Sequence, residues 1–283
     1  MEWEGDPRHA QQFVQKLLED FGSIDEDTKS SRAEFKGAKT PGVKRVPSDE
    51  ERILMPASDA KSYRGLVALG NYMSQDRVDV SFGSKEVSKT MSAPAYDDLV
   101  PVKRLGRYLR ENPRCVTLYN WQDPPQSIDG YSDSDWGGDQ VTRRSTSGGC
   151  VLRGGHLLLH WSRTQQVISL SSAEAELHGI CKCASEGLAI ANMSTEMLMS
   201  LPLRLLTDSS AARGIVQRQG TGKVKHLDIK TLWVQERETN GDFLIVKVPR
   251  LENWSDLFTH HWTEPEGIAH MAGMSVEVRK HPD

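Results

Sequence analysis

Four acidic side chains in the second half of the chain sit where sequence segments that read as strands or helices begin or end. Asp133 lies in Tyr131-Ser132-Asp133-Ser134-Asp135-Trp136, and Glu176 lies early in a helical stretch, in Ser171-Ser172-Ala173-Glu174-Ala175-Glu176-Leu177. Asp208 closes the apolar run Leu203–Thr207, and Asp256 falls in Glu252-Asn253-Trp254-Ser255-Asp256-Leu257-Phe258. Carboxylates converging at one end of a sheet repel one another unless cations neutralise them. Their hard oxygens suit magnesium or manganese. Two such ions about 4 Å apart would activate a water and stabilise the leaving oxygen of a phosphodiester.

Taken singly, each acid reads as a surface charge or a cap; the four in this order of elements read as a metal site. Pattern alone leaves two choices open. Asp133 and Asp135 are two apart on a strand and share a face. Glu174 and Glu176 flank the apolar stripe of one helix.

The elements that must hold these acids follow from periodicity. Ile128–Trp136, Gly148–Arg153 and Leu157–Ser162 read as three strands with short Gly-rich connections. Ser171–Asn192 repeats apolar residues every three to four positions, the spacing of a helix. Leu203–Thr207 is a short strand, and a small helix follows that Ser209 would cap. Asp228–Thr239 is a further helix, Phe243–Val248 a fifth strand, and Trp254–Phe258 a final helical turn. This order implies an α/β sandwich with a five-stranded mixed sheet.

Upstream, residues 10–21 have one apolar helical face. Residues 22–61 are polar, proline-broken and of mixed charge, and read as a linker. Residues 62–92 and 94–112 read as two helical stretches, the second ended at Asn112-Pro113. Net charge is −4, so attraction of nucleic acid must come from local basic patches. The four cysteines have no framework spacing, no apolar run reaches membrane length, and the first residues lack the order of a signal peptide. An intracellular protein, cytoplasmic or nuclear, is expected.

Six blocks make a resemblance specific: Gly130–Asp139 with Thr142–Gly148, His160–Gln166, Leu170–Leu177, Thr207–Ala211, Lys225–Ile229 and Ser255–Thr259. Together they resemble the ribonuclease H domain of copia-type retrotransposon Pol polyproteins. Weaker matches at Asp6–His9, Tyr63–Tyr72, Arg77–Phe82 and Leu105–Leu109 resemble the end of the reverse transcriptase in the same polyproteins. The resemblance implies a ribonuclease H-like sandwich over 126–262, preceded by a small helical segment over 62–125. It further implies a polymerase-palm remnant over 1–21, and residues 263–283, beyond the resemblance, read as a C-terminal tail. Matched residue by residue, it places the metal ligands on Asp133, Glu176, Asp208 and Asp256, with two Mg2+ or Mn2+ ions as cofactors. It implies hydrolysis of RNA paired to DNA, leaving 3′-hydroxyl and 5′-phosphate ends. An RNA–DNA hybrid is then the expected partner, with other parts of the polyprotein, no membrane and no small-molecule cofactor. A catalytically silent nucleic-acid-binding remnant of a transposon is the alternative. Tyr96-Asp97-Asp98 lacks the spacing of the polymerase motif, so polymerase activity is not expected.

Smaller signals remain. Lys103, Arg104, Arg107, Arg110 and Arg114 form the densest basic run, one that could grip duplex phosphate or be a solvated helix face. Arg143, Arg144, Lys223, Lys225 and His226 are further candidates for backbone contact. His178, Cys181 and Cys183 are better read as core packing than as zinc ligands. Trp136 and Trp161 are read as core aromatics.

Overall fold

The structure, a computed structural model, describes residues 1–22, 37–44, 52–218, 220 and 229–280. In chain order its elements are β1 (Glu2–Glu4), α1 (Arg8–Phe21), α2 (Ala57–Met73), α3 (Ser81–Ser88), α4 (Leu99–Glu111), β2 (Arg114–Leu118), β3 (Ile128–Ser134), β4 (Thr146–Arg153), β5 (His156–Thr164), α5 (Ser172–Glu196), β6 (Leu203–Thr207), α6 (Ser210–Val216), α7 (Ile229–Thr239), β7 (Leu244–Lys247), α8 (Glu264–Gly273) and β8 (Val276–Arg279). They fall into two compact units. One is Leu118–His260 with Met1 and His270–Ser275; the other is Glu2–Thr117 with His261–Ala269 and Val276–Asp283.

The first unit is built on a five-stranded mixed sheet of order β5-β4-β3-β6-β7. β3, β4 and β5 pair antiparallel, while β3–β6 and β6–β7 are parallel. β3 therefore stands where the sheet changes direction. Along β3 the even positions Ile128, Gly130, Ser132 and Ser134 are buried and the odd ones are half-buried, the two-residue period of a strand. The long helix α5 packs on the sheet through Leu177, Ile180 and Cys183, and the same core takes in Leu203, Leu205 and Ile245. Gly179 lets this helix come close: a Cβ there would lie 2.9 Å from Ser132 Oγ and 3.3 Å from the Asp133 carbonyl.

The start of α5 is fixed by its own sequence. Ser171 Oγ accepts from the Glu174 amide at 3.2 Å, and Glu174 Oε2 accepts from the Leu170 amide at 2.8 Å. This is a capping-box exchange displaced by one residue.

In the second unit α1 packs against α2 and α4 through Phe13 and Leu17, which meet Gly70 and Gly106. Two expectations are corrected here. The segment before the sheet is not helical alone, because β1, β2 and β8 form a three-stranded sheet. Residues 263–283 are not a plain tail, since they contain α8 and β8, and β8 pairs with β2 from Arg114↔Arg279 to Thr117↔Val276. Strands of three to five residues held by partners far along the chain carry little local signal. Tyr96–Asp98 is a 3-10 turn; Asp98 Oδ2 accepts from the Ala95 amide and from Arg52, and Tyr96 Oη donates to Asp59. Among the described residues no helix is long and apolar enough to cross a membrane.

Candidate metal centre

Asp133 and Asp208 meet because their strands are parallel neighbours. Tyr131 pairs with Leu206, and each acid follows two residues later. Asp256 arrives from the 3-10 turn Trp254–Phe258, which is pinned to the sheet at both ends. Asn253 Nδ2 donates to the Ser132 carbonyl at 3.2 Å, Ser255 Oγ donates to Asn253 at 2.6 Å, and Ser162 Oγ donates to the Phe258 carbonyl at 2.6 Å. One oxygen from each of Asp133, Asp208 and Asp256 lies within 4.8 Å of the others. Glu176, two residues past the capping Glu174, is not one of the three acids that lie within that distance, but their charges act on it.

Burial first, then the charges of Asp133, Asp208 and Asp256, push the Glu176 carboxyl up to about 9. Its Oε2 is buried with no hydrogen-bond partner among the described residues. Asp256 is pushed up to about 7, again by burial first and then by Asp133, against the opposing pull of Arg250 at 3.4 Å. Arg250 is 74% exposed, so that ion pair is screened by water and weak. Asp133 is also raised, chiefly by burial, while a hydrogen bond donated by Thr259 Oγ1 to its Oδ2 opposes the shift.

Half-buried and buried carboxylates this close repel one another when ionised, and an orphaned carboxylate oxygen lacks a donor. Divalent cations coordinated by oxygen remedy both defects, so the residues present fit such ions.

The members of the two pairs that the pattern left open have different surroundings. Asp135 takes the Thr146 amide and Glu174 caps α5, whereas Asp133 faces the other acids and Glu176 carries the orphaned oxygen. Arg143 and Arg144 are exposed on the β3–β4 connection, Arg143 at φ +59°. Lys103, Arg104 and Arg107 are half-buried along α4 and Arg110 is exposed. Arg104 donates to Thr40 and Arg114 is held by both oxygens of Glu4. Lys223, Lys225 and His226 lie outside the described residues. Cys183 is buried and Cys181 half-buried. Trp161 is buried as expected, but Trp136 is 59% exposed because its Nε1 is drawn to the Ser169 carbonyl at 3.1 Å. Sequence reasoning missed Asn253, Arg250 and Thr259 as supports of the cluster. Only the closeness of Asn253, Ser255 and Thr259 to Asp256 along the chain hints at them.

No family model matches the chain. It is 28% identical over 205 residues to the retrovirus-related Pol polyprotein from transposon RE1 of Arabidopsis thaliana, a match covering 71% of this chain and 14% of that protein. The Pol polyprotein from transposon RE2 of the same plant matches at 28% over 204 residues, with the same two shares. The chain thus spans about a seventh of the length of these curated relatives. The secreted RxLR effector protein 161 of Plasmopara viticola is 31% identical over 110 residues, 39% of this chain and 77% of that one. Among solved structures, the N-terminal RNase H domain of rv2228c from Mycobacterium tuberculosis, determined as a fusion with maltose binding protein, is similar at 20% identity and a TM-score of 0.33, covering 47% of this chain and 90% of that one. The sheet order and helix placement make an α/β fold with a five-stranded mixed sheet. The chain is a homologue of the retrovirus-related Pol polyproteins of plant transposons, in a family shared with the P. viticola protein over the matched segment.

Proposed function

We propose that the unit built on the five-stranded sheet is a metal-dependent endonuclease, part of a retrotransposon polyprotein, that hydrolyses the RNA strand of RNA–DNA hybrids. The observation that supports it most is the cluster of Asp133, Asp208 and Asp256 within 4.8 Å, with Glu176 driven to about 9 beside it. Carboxyl groups gathered this closely repel one another when ionised, and divalent cations would relieve that repulsion.

In this reading Asp133, Glu176, Asp208 and Asp256 would hold two magnesium or manganese ions. Bound there, the ions would supply an activated water and stabilise the departing oxygen. The chain's own part is to fix the four carboxylates on separate elements: β3, the end of β6, the first turns of α5 and the Trp254–Phe258 turn. Arg143 and Arg144 would meet substrate phosphate in this reading, a role supported by their exposure on the loop that follows the strand of Asp133. Selection for RNA would come from 2′-hydroxyls in the wide minor groove, not from base reading.

The test is strand-specific cleavage. Labelled hybrid, single-stranded RNA, duplex RNA and duplex DNA are incubated with the protein in Mg2+, in Mn2+ and in chelator. The expected result is endonucleolytic cutting of the RNA strand of the hybrid, with 3′-hydroxyl ends, only when a divalent ion is present. Binding of hybrid without cleavage under any ion would leave a silent nucleic-acid-binding remnant and end this proposal.

A further inference from the structure

Asp133 is the acid nearest the middle of the sheet, and its strand partner is unusual. Directly across the antiparallel ladder it faces Gly148 of β4. The missing side chain leaves a notch in the sheet surface, and residues 258 and 259 fill it. A Cβ at position 148 would lie 2.6 Å from Thr259 Cγ2, 2.8 Å from Phe258 Cβ and 3.0 Å from the Phe258 carbonyl carbon. The first two are closer than real Cβ atoms come and the third is tighter than most, and the two to Phe258 involve atoms that cannot swing away. The chain after the Trp254–Phe258 turn therefore lies directly on β4 only because position 148 is glycine.

Seated in that notch, Thr259 is 1% exposed and its Oγ1 donates to Asp133 Oδ2. The same hydroxyl is 3.3 Å from the Asp256 carbonyl and 3.4 Å from His260 Nδ1. A hydroxyl has one proton to give. The shortest of these contacts is the one to the carboxylate, where a charge-assisted bond is also the strongest. Thr259 is thus joined to one acid of the cluster through its side chain and to another, Asp256, through three residues of backbone.

We propose that Thr259 is the positioning residue for the Asp133 carboxylate, and that Gly148 exists to admit it. This rests on the reading of the acidic cluster as a divalent-cation site. A carboxylate at the end of a strand rotates about its last torsion, which is broad. A buried hydroxyl donor on one oxygen fixes that rotation and sets the carboxylate plane before any cation arrives. Partners in the shell behind metal ligands typically change affinity or activity by about 10–100-fold when removed.

The test measures Mn2+ binding to the full chain by calorimetry and by the loss of the free-ion spin-resonance signal, without substrate. Thr259→Val keeps the shape and removes the donor; Thr259→Ser keeps the donor and removes the methyl. The valine variant should bind Mn2+ about tenfold or more weakly, and the serine variant within about threefold of wild type. Thr259→Ala removes the donor without adding bulk and carries the test if valine does not fold. Gly148→Ala should weaken binding in the same direction, and adding Thr259→Val to it should cost little more. Equal affinity in wild type, valine and alanine variants would overturn the proposal while leaving the metal site intact. Serine failing as badly as valine would also overturn it, because a retained hydroxyl would then not suffice to hold the carboxylate. No Mn2+ binding by wild type would remove the cation site itself, and the proposal with it.

Discussion

Tyr131 and Leu206 are register partners in the parallel pair β3–β6, and this one pairing brings Asp133 and Asp208 to the same level of the sheet. A slip of one residue would turn every side chain of one strand to its opposite face. The two carboxylates are therefore as firmly juxtaposed as the sheet is firmly registered, and Ile128 and Leu203, which pair at the start of the same ladder, are both fully in the core.

The first expectation follows. Asp133→Asn and Asp208→Asn should each abolish divalent-dependent cleavage of hybrid while leaving the fold intact, since neither group supports packing. The amides keep the volume and relieve repulsion, so melting in chelator should be unchanged or higher. Circular dichroism and scanning calorimetry alongside the cleavage assay check this. A variant that cuts at near wild-type rate would remove that acid from the site.

Melting of the metal-free protein should depend on pH with a definite sign. Glu176 and Asp256 are raised in the fold, from ordinary values of 4.5 and 3.8 to about 9 and about 7. Between those limits the folded state binds more protons than the unfolded chain. Their contribution is thus fully present below about pH 4 and is lost as pH rises through about 7 and then about 9. Chelated protein should melt progressively lower from pH 5 to pH 9, and Mg2+ should raise the midpoint more at pH 8 than at pH 5. Glu176→Gln should flatten this slope and melt higher than wild type at pH 8.5 in chelator. Each 1 kcal/mol relieved raises the midpoint by roughly 2–4 °C in a chain of this size. A slope that Glu176→Gln leaves unchanged would show that Glu176 is ionised and solvated in the fold.

Much of this site was legible in the sequence because its acids lie at the ends of strongly patterned elements. Leu203, Leu205 and Leu206 make Leu203–Thr207 a mostly apolar strand, and it ends at Asp208. The Ser171–Glu174 exchange is local, so a sequence pattern carries it. Thr259 and Asn253 were not legible in this sense. Their roles depend on partners 126 and 121 positions away, and nothing in a short window distinguishes them from surface residues. Trp136 was misread for the opposite reason. A tryptophan beside a strand is expected to be buried, but one hydrogen bond to Ser169 and a turn at Gly137, φ +61°, hold it outward.

The close packing of α5 on β3 gives a third expectation. Gly179→Val would place its Cβ against Ser132 Oγ and the Asp133 carbonyl. The helix must lift, and Glu176, less than one turn away, must lift with it. Overpacking of this kind typically costs about 1–3 kcal/mol. Beyond that loss, the Mg2+ concentration giving half-maximal cleavage should rise. A stable variant with unchanged Mg2+ dependence would show that Glu176 tolerates displacement of its helix.

Substrate attraction should depend more on Arg143 and Arg144 than on the denser basic run of α4. Count alone favours α4, which with Arg114 carries five cations between residues 103 and 114. Two of those five have other obligations, Arg104 to Thr40 and Arg114 to Glu4. Lys103 and Arg107 are half-buried. Arg143 and Arg144 are both exposed, on the loop leaving the strand that carries Asp133. Each phosphate neutralised contributes roughly −0.9 to the slope of log affinity against log salt for B-form DNA. Replacing both by glutamine should therefore flatten the slope for hybrid by about 1.8 if both engage phosphate. The measurement is binding in Ca2+ at several salt concentrations for wild type, Arg143→Gln with Arg144→Gln, and Lys103→Gln with Arg107→Gln. The loop pair should give the larger change, because the α4 pair must first leave its half-buried setting. A flattened slope in the α4 variant with an unchanged one in the loop variant would move the phosphate contacts to the helix.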